Sequence, residues 1–582
     1  MPLQPLKILI AVIVSVALGI TVAACGSSDN GGGGASSGGN VKTLETAGGV
    51  DSLDPGYWYY QTDYSNLLQP TQRTLYYWKP DQTSNPTPDL ATAKPQVSNG
   101  GKTVTVKIRD DVKYSAPLQN QAVKTADIKY ALERCFLPQV GNGYANSYYN
   151  NIEGVKDFTD GKAKDISGIT TPDDTTLVIK TTVPVGVLAD AGALTMPCTV
   201  PVPKSYAQKY DQGKQSTYGD HQVFTGPYMV TNNGKGNIVG YKPGQSLHLV
   251  RNPSWDKSTD SRPAYFDRID FQGGFDATVA ARRTLKENNL LGGDYAAPPT
   301  PVLKSALSQD RDQMSITSSG GNRYISLNTT VKPLDNVNVR RAISAVIDRT
   351  ALRQTRGGPT LGTLATHFLP PGVNGFDDAG GDKGPGFDFM SSPTSNVELA
   401  KSYMKKAGYA NGMYSGSPLL TIADNESPAK ETAEAFAEQV KKIGLKLQYR
   451  EVPHATMLTK FCQVPKSKTA ICPNLGWGAD FFAPVSFFSP LFYGPNIVQS
   501  GNVNTAQVND PKLNKQIEQA QQITDSTEAG KAWGDLDKEV TNQAYFIPWL
   551  WDNNVSLMGP NIKGVPSKFN SGALDYVFSS VK

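Results

Sequence analysis

The sequence predicts an α/β protein of at least two lobes, on three observations. Its 582 residues exceed what a single hydrophobic core usually serves, and 38% hydrophobic content can fill more than one. Strand-like alternation recurs between turn clusters, and amphipathic helical stripes are interspersed with it. The chain carries no internal repeat.

Taken from the N-terminus, the first element is an address and not a domain. Lys7 precedes an uninterrupted apolar or small run from Ile8 to Ala24, which is followed at once by Cys25 and polar residues, the shape of a signal peptide. The run just approaches a membrane-spanning length, so an anchor helix is an alternative, as is plain secretion. Ala23 and Ala24 favour cleavage before Cys25. From Gly26 to Asn40 the residues are Gly, Ser, Asn, Ala and one Asp, too polar to offset the entropy of ordering them, so this segment is a tether. Within it Gly34-Ala35-Ser36-Ser37-Gly38 fits G-x-S-x-G, and Ser28-Asp29-Asn30 fits a penicillin-binding triplet. Both need a rigid cleft or strained turn that such a segment cannot build.

The mature chain then alternates element types. Thr103 to Ile108 and Thr176 to Lys180 read as strands, bounded by Ser98-Asn99-Gly100-Gly101 and Pro172-Asp173-Asp174. Thr125 is placed to cap a helix running to Arg134. Ser427-Pro428 opens a second helix with Ala433, Phe436, Val440 and Ile443 at helical spacing before Gly444, and Val339, Ala342, Ile343, Val346 and Ile347 make a third stripe. All three stripes are expected to pack in cores.

The formal charge is +4, from 56 basic and 52 acidic residues without long runs of one sign, which argues against a nucleic-acid partner. Cys135, Cys198, Cys462 and Cys472 are an even set in an exported chain, so disulfides are expected. Three pairings are open. Proximity in sequence favours Cys135 with Cys198 and Cys462 with Cys472, closing loops worth roughly 4 and 3 kcal/mol. His221, His248, His367 and His454 are scattered and form no short metal-type spacing with a cysteine, so no metal is expected. Walker and dinucleotide fingerprints are also missing, and no cofactor is expected.

Several landmarks stand in a familiar order: Leu53-Asp54-Pro55; Pro88-Asp89-Leu90-Ala91 leading to Lys113-Tyr114-Ser115; Thr125-Ala126-Asp127-Ile128; Thr225-Gly226-Pro227-Tyr228; Arg251-Asn252-Pro253-Ser254-Trp255; Val339-Arg340-Arg341-Ala342-Ile343 with Ile347-Asp348-Arg349; and Gly476-Trp477-Gly478-Ala479-Asp480. Together they resemble the family 5 extracellular solute-binding proteins, the peptide-binding lipoproteins of ABC importers. The N-terminal segment also resembles a bacterial lipobox, with Val22 where leucine is commoner, which implies that Cys25 is lipidated on the extracytoplasmic face of the cell membrane. Two departures stand out. Ala116-Pro117 replaces the usual Asp-Gly after Lys113-Tyr114-Ser115, and Ala483-Pro484 lacks the second acidic residue usual before proline.

The resemblance implies a two-lobed, type II periplasmic-binding-protein-like architecture with a hinge between the lobes. Residues 1–24 would be the signal peptide and 25–40 the lipidated cysteine and tether. Lobe I would comprise 41–324, including an inserted subdomain, and return over 549–582, with lobe II over 325–548. Crossings are expected near Arg323 to Asn328 and Ile547 to Trp551. The implied function is capture of peptides in the interlobe cleft, as a monomer, and delivery to an ABC permease. In the family the acidic residue of the Gly-Trp loop answers the peptide ammonium, which by position is Asp480. Aromatic faces cover ligand side chains without demanding one identity, and Tyr57, Trp58, Trp477 and Phe481 are the candidates. Arg340 and Arg341 sit on a helix and are expected to pair at a surface or between lobes. The altered turn at Ala483-Pro484 keeps other cargo open: a nickel chelate, a sugar or a signalling peptide.

One enzyme reading competes. Ser254-Trp255-Asp256-Lys257 fits the S-x-x-K of penicillin-recognising serine hydrolases, but that chemistry needs a facing Lys-Thr-Gly strand and neither Lys-Thr-Gly nor Lys-Ser-Gly occurs. A binding protein, not an enzyme, is expected.

Overall fold

The computed structural model describes residues 38–582 apart from 47–49, 51, 59–60, 293–296, 500 and 570. Residues 1–37, which hold the expected signal peptide, Cys25 and most of the expected tether, lie outside the described residues, as do Tyr59 and Tyr60 beside the candidate Trp58.

Three larger sheets carry the mixed α/β fold. A five-stranded sheet orders Asn40–Leu44, Arg268–Gln272, Ser246–Arg251 and Tyr228–Val230, with Tyr241–Lys242 also on the Ser246–Arg251 strand. A four-stranded antiparallel sheet contains both strands expected from alternation, paired from Thr103↔Lys180 to Lys107↔Thr176. The third sheet has six strands in the order Gly362–Thr363, Phe546–Leu557, Met314–Leu327, Ile471–Gly478, Leu419–Asp424 and Leu447–Val452. Its last two strands are parallel and joined through the helix Ala429–Val440, a βαβ unit.

The spine of this third sheet is the antiparallel pair Met314–Leu327 and Phe546–Leu557, the segments where the two crossings were expected. They pair from Met314↔Leu557 to Ser318↔Asn553, then again from Asn322↔Trp551 to Ser326↔Phe546. Between the two stretches the register shifts, and Gly320 takes a φ of +62°, a left-handed conformation that costs glycine nothing. One large core spans much of the chain. A second core gathers residues from Ile325 to Leu550, among them Val339, Ile343, Val346, Phe436, Val440 and Ile443, so the expected helical stripes are packing faces.

Local chemistry explains the helix ends. The first helix spans Thr125–Arg134, but its cap differs from expectation: the Asp127 carboxylate accepts the Lys124 backbone N–H at 3.0 Å, and the Thr125 hydroxyl donates to the Asp173 carbonyl at 2.7 Å. Asp127 of Thr125-Ala126-Asp127-Ile128 thus does the capping work. Arg340 departs from expectation in being buried, while Arg341 pairs at a half-exposed position. Arg340 is buried and donates to the carbonyls of Gln543 and Leu334 at 2.8 Å, and Arg341 donates to the Asn542 carbonyl at 2.9 Å. Both therefore close the C-terminal end of the helix Ser526–Gln543, where unpaired carbonyls attract cations.

Disulfides join Cys135 to Cys198 and Cys462 to Cys472, the pairing favoured by proximity. Among the described residues no helix is long and apolar enough to cross a membrane.

Buried ion pairs stitch the N-terminal half of the chain. Arg134 reaches Asp54 at 2.8 Å and Asp211 at 2.7 Å, all three nearly without solvent contact. Arg73 and Arg262 share Asp89 and Asp260 in the same way. Replacing Arg134 by Met would leave Asp54 and Asp211 buried together without a cation. Breaking such a pair costs about 3–5 kcal/mol. Urea unfolding should register a loss of that size, and an unchanged midpoint would show that the two carboxylates need no cation to stay buried.

Candidate ligand-binding site

The site grows from the strand Ile471–Gly478, which runs antiparallel to Met314–Leu327 with Gly478 opposite Gly321, Trp477 opposite Asn322 and Gly476 opposite Arg323. Close approach explains the glycines. A Cβ on Gly321 would meet the Trp477 carbonyl oxygen at 2.9 Å, and one on Gly476 would meet the Arg323 guanidinium at 2.9 Å. The chain leaves the strand after Gly478 and turns through Ala479 to Pro484 into the helix Val485–Phe492. That turn is fastened from both sides: the Trp477 indole N–H donates to the Ser486 carbonyl at 2.7 Å, and the Ser486 hydroxyl donates to the Ala483 carbonyl at 2.8 Å. Ala483-Pro484, in place of an acidic residue and proline, is thus the turn that hands the strand to the helix.

Asp480 sits half-buried in this turn, and its Oδ2 accepts a hydrogen bond from the Tyr148 hydroxyl, more than 300 residues away in the sequence. The Tyr148 ring also meets the Phe481 ring edge-on, with centroids 5.0 Å apart. Burial pushes the Asp480 carboxyl up to about 7, and the Tyr148 hydrogen bond pulls the other way. Near neutral pH this group is therefore divided between its charged and neutral forms. Desolvation also pushes the neighbouring Tyr64 and Tyr144 hydroxyls up, reinforced by the Asp480 charge.

Two cavities flank the turn. One of about 350 Å³ is lined by Asp480, Trp477, Asn474, Arg323, Arg356 and Asp552, among others. The other, of about 610 Å³, is lined on the same turn by Phe481 and Phe482, with Tyr148 and Trp78 opposite. In the first cavity Arg323 lies 2.6 Å and Arg356 3.1 Å from the single carboxylate of Asp552. Two guanidiniums against one carboxylate leave a surplus positive charge, and burial pushes Arg356 down to about 10. The smaller cavity thus offers a carboxylate in its turn and unbalanced guanidinium on its floor.

The structure gathers Trp477, Asp480 and Phe481 at the cavity walls. It places Tyr57 and Trp58 elsewhere: Tyr57 is exposed, while Trp58 is fully buried with its indole N–H on the Ser52 carbonyl at 2.8 Å, and neither lines these cavities. Just before them in the chain, Asp54 accepts the Gly56 N–H at 2.9 Å and is held by Arg134. Sequence reasoning missed Tyr148, Asn474, Arg323, Arg356 and Asp552. Tyr148 lay in the tyrosine-rich stretch Tyr144 to Tyr149, a usable signal; the others carried none. Ser254 sits in a turn with its N–H bonded to Asn252 Oδ1, and Lys257 is exposed at the start of the short helix Lys257–Thr259. Among the described residues no cluster of His, Cys, Asp and Glu could hold a metal ion.

Tyr148→Phe removes the bond that favours the Asp480 carboxylate, so the midpoint of Asp480 should move above about 7. Carbon-detected NMR titration of the aspartate side chains would read the shift, and an unmoved midpoint would show that the bond does not tune this group.

Comparison with known proteins fits this geometry. Residues 85–499 match the family described as bacterial extracellular solute-binding proteins, family 5 Middle. The chain is 24% identical over 490 residues to the dipeptide-binding protein DppE of Bacillus subtilis, covering 82% of this chain and 81% of that protein. It is 26% identical over 369 residues to heme-binding protein A of Haemophilus influenzae, covering 62% and 60% respectively. The solved structure of clavulanic acid biosynthesis oligopeptide binding protein 2 superposes with a TM-score of 0.80 at 24% identity, covering 94% of this chain and 96% of that one, so the two-lobed α/β fold is shared. The chain belongs to the family 5 extracellular solute-binding proteins, and its role is substrate binding for ABC transport.

Proposed function

We propose that the protein captures peptides in the cavity beneath the Gly476 to Asp480 strand end and delivers them to a membrane permease, held to the membrane by lipid on Cys25. The observation that carries the peptide reading is Asp480: a half-buried carboxylate in the same cavity as two guanidiniums that share one acid. A free peptide is a zwitterion, so its ammonium answers the first and its carboxylate or carbonyl dipoles the second. Strand edges and a roomy cavity suit an extended backbone with little regard for side chains. The names of relatives support peptide cargo without fixing it, since one matched relative is named for dipeptides and another for heme.

Binding an ammonium requires the charged form of Asp480, whose carboxyl is pushed up to about 7 in the free protein. Affinity for free peptides should therefore weaken as pH falls below about 7, approaching tenfold per unit, because binding must first displace a proton. Above about 8 the peptide amine loses its own proton, so the optimum lies between. Asp480→Asn keeps the shape and removes the charge. Truncating one member of a desolvated charge pair costs about 2–5 kcal/mol, so a free peptide should bind roughly 30-fold or more weakly to the variant. An N-acetylated peptide should lose almost nothing in the variant and show no such pH slope. Calorimetry with both forms of one peptide decides the matter, and equal losses would mean that Asp480 only shapes the turn.

The anchoring part of the proposal rests on the sequence around Cys25. Cys25→Ala should move the protein from the membrane fraction to the soluble fraction while leaving peptide affinity unchanged. A variant still in the membrane fraction would refute lipidation at this residue.

A further inference from the structure

The proposed peptide site contains an amide that the fold leaves unused. Asn474 is 7% exposed and lines the cavity of about 350 Å³ that holds Asp480, yet its Oδ1 has no hydrogen-bond partner among the described residues. Buried polar atoms in folded proteins are almost always paired, so an orphan on a cavity wall marks a position completed by something else. The ladder itself aims this residue. Pairing with Met314–Leu327 shifts between Tyr324 and Ser326, which leaves Pro473 and Asn474 together opposite Ile325, a bulge of the kind that redirects a side chain. Two residues further along, Gly476 lies under the Arg323 guanidinium, so an unmet acceptor and a guanidinium that already shares its carboxylate border the same space.

Resting on the peptide reading above, we infer that Asn474 is a specificity-determining residue that accepts an internal peptide N–H of the ligand, whose carbonyl faces Arg323. The chemistry separates this group from the alternatives. A terminal carboxylate would satisfy the guanidiniums but has no donor for Oδ1, and an apolar side chain would leave both unmet. A peptide unit supplies an acceptor and a donor together. The site therefore favours ligands whose chain continues past Arg323 over ligands that end there.

The probe is a series of alanine peptides with free amines, three to six residues long, titrated calorimetrically into the wild-type protein, Asn474→Leu and Asn474→Asp. Leucine matches the shape without the acceptor, and aspartate keeps an acceptor. For the longest peptide bound, each internal nitrogen is methylated in turn. One methylation should weaken binding to the wild-type protein roughly tenfold or more, and the same methylation should cost nothing further in Asn474→Leu. Asn474→Asp should retain discrimination against that methylated peptide. Melting curves establish that each variant is folded; Asn474→Leu, freed of an orphan acceptor, should melt no lower than the wild type. The inference is overturned if peptides bind and no methylation loses its effect in Asn474→Leu. If no alanine peptide binds the wild-type protein at all, the peptide reading itself falls, an outcome distinct from the first.

Discussion

The antiparallel pairing of Met314–Leu327 with Phe546–Leu557 is the constraint on which the rest of the molecule depends. These strands bring chain positions more than 200 residues apart into register, and the closure entropy of so long a loop is recovered only when the whole ladder forms. Everything at the candidate site hangs on them. Arg323 and Asp552 project from the pair itself, and the Ile471–Gly478 strand joins its flank and carries Asp480 beyond its end. The shift in register near Gly320 falls between the two paired stretches, where the backbone can bend without breaking a regular ladder.

What was legible in the sequence was mostly the machinery of folding. Asp54, Asp89, Asp127 and Asn252, each part of a motif that suggested the family, are buried or capping groups: Asp54 holds Arg134, Asp89 holds Arg73, Asp127 closes a helix start, and Asn252 donates to the Gly226 carbonyl at 3.0 Å. Such residues are constrained in identity because a buried charge or amide tolerates only its own partner. Their spacing is short and local, so it survives as a readable word. The helix stripes were legible for a related reason, since Val339, Ile343 and Val346 must face one core at a 3.6-residue period.

The site was legible only in part. Asp480 and Trp477 belong to one continuous stretch of sequence, and both line one cavity. Arg323, Arg356 and Asp552 come from separate elements, and nothing near them in sequence announces a shared space. Tyr57 and Trp58 lie outside both cavities. An aromatic run suggested a binding face, but the turn that precedes it is fastened through Asp54 to Arg134, 80 residues along the chain, a contact that no local pattern reveals. Residue type offers candidates for a site; tertiary anchoring selects among them.

The Cys462–Cys472 bond has a consequence for how this cavity responds to motion. It ties the irregular helix Met457–Cys462, whose Leu458 lines the cavity, to the beginning of the strand that ends at Gly478. Cavity wall and pairing strand are therefore one covalent piece. Any movement of the Met457–Cys462 helix is therefore passed to the start of the Ile471–Gly478 strand through a covalent bond and not through packing alone.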